Sequence, residues 1–141
     1  MEVSRIRALR GPNLWSRQTS IEAIVSCAPQ EREMLPGNDF EKQLRRVFPA
    51  VGPLEGSRPG HPASMAHALE KITLSLQNQA GCPVTFSRTT ATEEEGVFQV
   101  VVQYTEEAVG RLALSWAEKL CSAVQAQSPF DLNQALAELR E

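Results

Sequence analysis

Hydrophobic positions along residues 64–81 repeat with the period of a single buried helix face. Steps of four, three and four separate the apolar residues of this stripe, which are Met65, Leu69, Ile72 and Leu76. Pro62 lies where a helix can begin, and Gly81 lies where one can end. The pattern therefore predicts an amphipathic helix at the centre of the chain.

The rest of the chain contains apolar runs of two kinds. Runs that alternate, or that are rich in β-branched residues, predict four strands over Val3–Leu9, Ile21–Cys27, Val84–Thr90 and Val97–Tyr104. Stripes at helical spacing predict three more helices over Phe40–Phe48, Glu106–Gln127 and Leu132–Leu139. Asp39 and Asp131 precede two of these helices as N-caps. The sequence Glu-Glu-Glu-Gly that ends at Gly96 is typical of a hairpin turn.

The predicted order is two strands, two helices, two strands and two helices. Two β-pairs that are each followed by two helices favour an α+β two-layer sandwich, with an antiparallel or mixed four-stranded sheet that carries the helices on one face. The chain of 141 residues has the length of one ordinary domain with a substantial core. We therefore expect a single domain over residues 1–141.

Composition argues against several classes of protein. The net charge of −3, from 14 Lys and Arg against 17 Asp and Glu, gives no bulk attraction to nucleic acid. No apolar stretch is long enough to span a membrane. The first residues, MEVSRIRALR, lack the apolar core of a signal peptide. Three scattered cysteines, Cys27, Cys82 and Cys121, form no C-x-x-C pair, which favours reduced thiols in a cytoplasmic protein.

Sequence motifs that bind nucleotides or present a serine nucleophile are missing. The chain has no G-x-x-x-x-G-K-[ST] phosphate loop, no G-x-G-x-x-G turn and no G-x-S-x-G elbow, and its eight glycines fall singly. We expect no cofactor in this domain. Any ATP chemistry of the protein to which it belongs then lies in another part.

One face of the central helix carries His67, Glu70 and Lys71 at positions i, i+3 and i+4, where side chains are neighbours. The pattern H-x-x-E-K differs by one residue from H-x-x-E-H, the inverted zinc-hydrolase signature. Lys71 is cationic at neutral pH and repels zinc, so we expect no metal. The three residues are either a degenerate hydrolase site or a partly exposed helix face. His61 is a substitute ligand only if its Pro/Gly-rich loop brings it to the helix.

Charges of each sign are concentrated in separate segments. Four arginines lie near the start of the chain, and two groups of glutamates lie later: Arg5, Arg7, Arg10 and Arg17, then Glu93, Glu94 and Glu95, then Glu106 and Glu107. Regular alternation along the first strand places Arg5 and Arg7 on one face. Each group is either a solvated surface or a binding surface. Glu106 and Glu107 suit a helix N-terminus, or one of them supplies a third ligand in a working hydrolase. Trp116 falls in an apolar stripe and is predicted to be core.

The stretch RALRGPNLW, at residues 7–15, resembles the start of the bacterial cyanophycin synthetases, where a strand is followed by R-G-P-N-x-W. The H-x-x-E segment on an amphipathic helix and the ending at residues 130–141 are similar to later parts of the same N-terminal domain. The resemblance covers the whole chain but only that domain of the family. Within the motif, Arg10 either hydrogen-bonds the turn or binds a ligand, and Asn13 and Trp15 are expected to fix the loop.

The resemblance implies a role in making cyanophycin, a poly-aspartate backbone with an arginine joined to each side-chain carboxylate. In this family two ligase domains, which use ATP and Mg, add Asp and Arg in turn, and the N-terminal domain anchors the polymer. In some members that domain also carries a zinc-hydrolase site on H-x-x-E-H, which trims polymer into primers. The implied partners are the polymer, the ligase domains of the same chain and further copies of a full-length cytoplasmic enzyme.

A surface that holds this polymer needs both signs of charge, because each repeat offers a guanidinium and a carboxylate. We therefore predict polymer binding by one set of residues: Arg5, Arg7, Arg10, Arg17, Lys71, Glu93, Glu94 and Glu95. The binding should be sensitive to salt. Two alternatives stay open, a zinc-dependent hydrolase and a purely structural domain of the synthetase.

Overall fold

The computed structural model describes residues 1–9, 19–35, 37–56 and 62–141. These residues form four strands, which are β1 (Glu2–Leu9), β2 (Ser20–Ser26), β3 (Ser87–Ala91) and β4 (Val97–Gln103). They also form four α-helices, which are α1 (Asp39–Val47), α2 (Met65–Gln79), α3 (Glu107–Gln125) and α4 (Leu132–Arg140), and a short 3-10 helix at Pro29–Glu31. The sheet is antiparallel in the order β1-β2-β4-β3. The predicted α+β fold and its order of elements are confirmed.

The core lies between one face of the sheet and helix α2. Cross-strand pairs of apolar residues cover that face, and Ala23 of β2 faces Val100 of β4. Leu69, Ile72 and Leu76 of α2 are fully buried, as their helical spacing predicts. Helix α2 packs against β3 and β4 on one side and against α3 on the other, while α1 and α4 pack on α3.

The helix starts depend on single side chains. Helix α1 is capped by Asn38, whose side chain accepts the backbone N–H of Glu41 at 2.9 Å, and the prediction that Asp39 is the cap is wrong. The two residues are adjacent and of nearly equal capping preference, so the pattern could not separate them. Asp131 does cap α4, where it accepts the N–H of Gln134 at 3.0 Å.

Strand β3 begins three residues later than predicted because side-chain amides replace the sheet ladder before it. Asn78 exchanges two hydrogen bonds with the backbone of Val84, at 2.9 and 3.0 Å. The side-chain oxygen of Gln103 accepts the N–H groups of Thr85 and Phe86 at 2.9 and 3.0 Å. These contacts satisfy the backbone of residues 84–86 outside regular strand pairing.

Strand β1 contains a bulge that changes which side chains face the helices. Ser4 pairs with Ile24 and Arg7 pairs with Glu22, so two residues of β1 stand opposite one residue of β2. Arg5 takes a left-handed backbone with φ of 49°. Arg7 therefore lies on the face away from the helices, and the regular alternation predicted for Arg5 and Arg7 does not occur.

Trp116 is only partly buried, so the prediction that it is a core residue is wrong. Its indole N–H donates to Glu138 at 2.8 Å, and its ring meets the edge of Phe130 at 5.8 Å between centroids. Lys119 lies 4.5 Å from the ring centroid. The tryptophan thus joins α3 to α4 at the surface. Across the described part of the chain, no helix is both long and apolar enough to cross a membrane.

Candidate functional site

A cleft of about 700 Å³ lies between the start of α2 and the edge strand β3. All five residues of β3 line it, together with Pro62 and Phe98. Three cationic and three acidic residues are also among those that line it: Arg32, Lys71 and Arg88, and Glu33, Glu55 and Glu70. Arg88 pairs with Val101 and lies between two β3 residues that face α2, so its side chain projects from the other face of the strand. The cleft therefore offers charges of both signs at short range.

Glu70 is the buried acid of the cleft, with a side chain that is 4% exposed. Its Oε2 accepts the hydroxyl of Ser87 at 2.5 Å, and its Oε1 accepts the hydroxyl of Thr89 at 2.6 Å. Ser87 and Thr89 are alternate residues of β3, so both side chains face α2. Lys71 places its ammonium 3.3 Å from Oε2 and is 31% exposed. Two hydroxyls and one cation therefore fix the carboxylate and balance its charge.

His67 belongs to the start of α2 and forms a capping box with Ser64. The N–H of Ser64 donates to Nδ1 of His67 at 2.9 Å, and the N–H of His67 donates to the Ser64 hydroxyl at 3.3 Å. A glutamate or glutamine usually takes this third helical position. The ring also meets the edge of Phe98 at 6.1 Å between centroids. His67 is buried, and the prediction of a partly exposed face is wrong for His67 and Glu70.

The geometry fixes the protonation of the His67 ring. A backbone N–H can only donate, so Nδ1 is the acceptor and the neutral ring carries its proton on Nε2. Burial lowers the pKa of His67 from its ordinary value of 6.5, with Glu70 acting in the opposite direction and Lys71 acting with burial. The ring is therefore neutral at neutral pH.

These residues do not fit a zinc site. A metal-binding histidine donates its second ring N–H to an oxygen acceptor, whereas Nδ1 of His67 accepts an N–H and Nε2 holds the proton. A lysine takes the position of the second histidine, and its ammonium lies 3.3 Å from Oε2 of Glu70. Among the residues that the structure describes, no three His, Cys, Asp or Glu side chains are placed to share a metal. His61 lies outside the described residues.

The structure separates the charges that were predicted to bind polymer. Lys71 lies in the cleft, whereas Arg5 and Arg7 lie on β1 at the opposite edge of the sheet. Arg7 donates to the buried Glu22 at 2.6 and 3.2 Å, and this contact raises the pKa of Arg7. Gln99 also donates to Glu22, at 2.6 Å. Four further residues that the sequence singled out fall outside the described residues: Arg10, Asn13, Trp15 and Arg17.

The hairpin glutamates lie beside the cleft rather than in its lining. Glu93, Glu94 and Glu95 are exposed, and Glu95 lies 3.5 Å from the guanidinium of Arg32. Arg32 also donates to the carbonyl of Cys27 at 3.2 Å and packs against Gly96. At the start of α3, Glu107 pairs with Arg111 at 3.0 Å, whereas the Glu106 side chain makes no capping hydrogen bond.

Several cleft residues were not predicted from the sequence. Ser87 and Thr89 are alternate residues of β3 and both face the buried helix α2. Polar residues on the buried face of a strand can indicate a buried charge on the helix that packs against it. Ser64 three residues before His67 is a second indication, because Ser-x-x-polar is the capping-box pattern. The remaining charged lining residues carry no sequence pattern that sets them apart: Arg32, Glu33, Glu55 and Arg88.

The fold and the cleft define a small α+β two-layer domain with a mixed-charge cleft at a sheet edge. The family model described as cyanophycin synthase-like N-terminal domain matches residues 30–126. The chain therefore belongs to the cyanophycin synthase-like N-terminal domain family.

Curated relatives extend the similarity over the whole chain. The chain is 31% identical over 157 aligned positions to a cyanophycin synthetase of Geminocystis herdmanii, and 29% identical over 156 to one of Trichormus variabilis. It is 28% identical over 154 positions to one of Synechocystis sp.. Each alignment covers 100% of this chain but only 17–18% of the relative. The chain thus spans less than a fifth of the length of these relatives.

Proposed function

We propose that this domain holds the cyanophycin polymer in the cleft beside β3, as part of a cyanophycin synthetase. The observation that carries the proposal is the lining of the cleft, where Arg32 and Lys71 lie among three acidic residues. Each repeat of the polymer offers a guanidinium and a carboxylate, and a mixed-charge cleft complements both.

The binding is expected to be weak at each repeat and stronger over several. An exposed ion pair contributes only ~0.2–1 kcal/mol, and salt screens it. A polymer that engages several pairs at once gains avidity without any strong single contact. Such binding holds a growing chain and still lets it move.

In the full-length enzyme the domain would present the polymer to the ligase domains, which would use ATP and Mg. The family membership and the relatives named cyanophycin synthetase support this placement. The cleft itself argues against the zinc-dependent hydrolase, since the His67 ring and Lys71 do not suit a metal. A full-length oligomer in the cytoplasm is part of the same proposal.

The test is to mix the chain with insoluble cyanophycin at neutral pH and to measure the protein that pellets over a salt series. Arg32→Ala should weaken pelleting about 1.4- to fivefold, because it removes one partly exposed pair worth ~0.2–1 kcal/mol. Arg46→Ala is the matched control, since Arg46 is exposed on α1 and is not part of the cleft lining. Arg5→Ala measures any contribution from the β1 edge.

Pelleting that fades as salt rises, and that Arg32→Ala weakens more than Arg46→Ala, would support the proposal. If the chain does not pellet at low salt, the polymer-holding role is refuted and the structural alternative is favoured. If zinc makes the chain release soluble fragments from the polymer, the domain is a hydrolase instead. Arg7→Ala is unsuitable, because it would leave the buried Glu22 without its arginine partner.

A further inference from the structure

The carboxylate of Glu70 has a defined set of occupied and open positions. A carboxylate accepts about four hydrogen bonds, two at each oxygen. Within the described residues, Thr89 occupies one position on Oε1, while Ser87 and Lys71 occupy positions on Oε2. The two hydroxyl donors come from alternate positions of β3, so they hold the carboxylate in a fixed plane.

Lys71 is the one donor of this set that can leave easily. Its side chain is 31% exposed, and its ammonium is 3.3 Å from Oε2. A pair with such access to water contributes little to stability, and the lysine stem is flexible. When the ammonium moves away, each oxygen of Glu70 keeps one hydroxyl partner and offers one open position.

Two open positions, one on each oxygen of a fixed carboxylate, match the two parallel N–H groups of a guanidinium. An ammonium is a point charge and cannot use both positions in this way. We infer that Glu70 is the receptor for a guanidinium group, with Lys71 as the resident cation that gives way to it. The inference rests on the proposed function, because it takes the polymer's arginine side chain as the ligand.

The exchange preserves the number of ion pairs. Glu70 exchanges an ammonium for a guanidinium, and the released ammonium of Lys71 can pair with the carboxylate of the same repeat. No buried charge is left without a partner at the end of the exchange. The cleft thereby distinguishes an arginine-bearing polymer from bare poly-aspartate.

The test titrates ethylguanidinium, and separately ethylammonium, into the isotope-labelled chain and follows the NMR signals of Ser87 and Thr89. The wild-type chain should bind ethylguanidinium in preference to ethylammonium. Lys71→Gln should bind ethylguanidinium at least threefold more tightly, because the competing ammonium is gone. Glu70→Gln should bind it at least tenfold more weakly. Lys42→Gln, an exposed lysine on α1, is the matched control and should leave the affinity unchanged.

Unchanged or weaker binding by Lys71→Gln would overturn the inference. Because Lys71 is partly exposed, this variant keeps the test valid even if Glu70→Gln fails to fold. Polymer pelleting separates the two proposals. If Glu70→Gln folds and pellets like wild type while Arg32→Ala pellets less, the polymer-holding role stands and the guanidinium receptor fails. If wild type binds ethylguanidinium but does not pellet, the receptor stands and the polymer-holding role fails.

Discussion

Replacing His67 by glutamine should preserve the start of α2, whereas replacing it by alanine should destabilise the domain. Nδ1 of His67 accepts the N–H of Ser64 at 2.9 Å, and both residues are buried. Glutamine is common at this position of a capping box, and its side-chain oxygen can accept the same N–H. Alanine offers no acceptor there.

The magnitude follows from the contact that is lost. Losing a capping interaction costs ~0.5–2 kcal/mol, and leaving a buried donor unsatisfied costs ~1–3 kcal/mol. These two figures describe the same N–H, so they overlap and do not add. We expect His67→Ala to lower the free energy of unfolding by about 1–3 kcal/mol, and the Tm by roughly 4 °C per kcal/mol for a domain of this size. His67→Gln should lose about 1 kcal/mol or less.

The same contact predicts a pH dependence. Burial holds the folded-state pKa of His67 below the ordinary value of 6.5, so between these two values the unfolded chain binds the proton and the folded chain does not. The free energy of unfolding should therefore fall as the pH drops below 6.5, by up to about 1.4 kcal/mol per pH unit. It should level off below the folded-state pKa. His67→Gln should remove this slope.

The assay is urea denaturation followed by circular dichroism at several pH values between neutral and mildly acidic. His61→Gln controls for the only other histidine in the sequence. Equal destabilisation of His67→Gln and His67→Ala would refute the capping argument. A pH slope that persists in His67→Gln would show that another group is responsible.

Three further predictions concern other parts of the fold. Gly96→Ala and Gly81→Ala both place alanine at positive φ, which costs ~1–2 kcal/mol. Only at Gly96 would the added methyl group also contact the Arg32 guanidinium. Chemical denaturation should therefore find Gly96→Ala more destabilised than Gly81→Ala. Glu31 is buried, and burial alone raises its pKa. Hydrogen bonds from the N-terminal ammonium and Gln125 lower the pKa by more, so that its net shift is downward. Stability should therefore fall as the pH drops below its ordinary 4.5, and Glu31→Gln should cost about 1.5–3 kcal/mol in urea denaturation at neutral pH. A thiol reagent should label Cys82 in the native protein and the two buried cysteines only after unfolding.

The order of elements could be predicted from the sequence because apolar periodicity reports which face of each element is buried. Met65, Leu69, Ile72 and Leu76 define the buried stripe of α2 without any knowledge of its neighbours. The late start of β3 was not predicted because side chains replace backbone partners there. Asn78 and Gln103 take over the hydrogen bonds before β3, and no local pattern shows that they do so.

The candidate site was only partly predictable, for a related reason. The helical spacing brought His67, Glu70 and Lys71 together, and the structure keeps them together. The burial of Glu70 depends on hydroxyls that are 17 and 19 residues away in the sequence, and the position of the cleft depends on which strand forms the sheet edge. Strand order is a property of the whole fold, so single-segment patterns could not reveal the charged lining.

The bulge in β1 makes this strand tolerant of a change in length. The residues before the bulge and those after it pair with β2 as they would in a regular strand that is one residue shorter. Ala23 lies opposite the extra residue. A sequence one residue shorter here would keep both ends of the strand in place and direct the remaining central residue toward the helices. Loss of Arg5 would leave Ile6 at that inward position, whereas loss of Ile6 would leave a guanidinium there. Homologous sequences that lack one residue in this strand should therefore carry an apolar side chain at its centre.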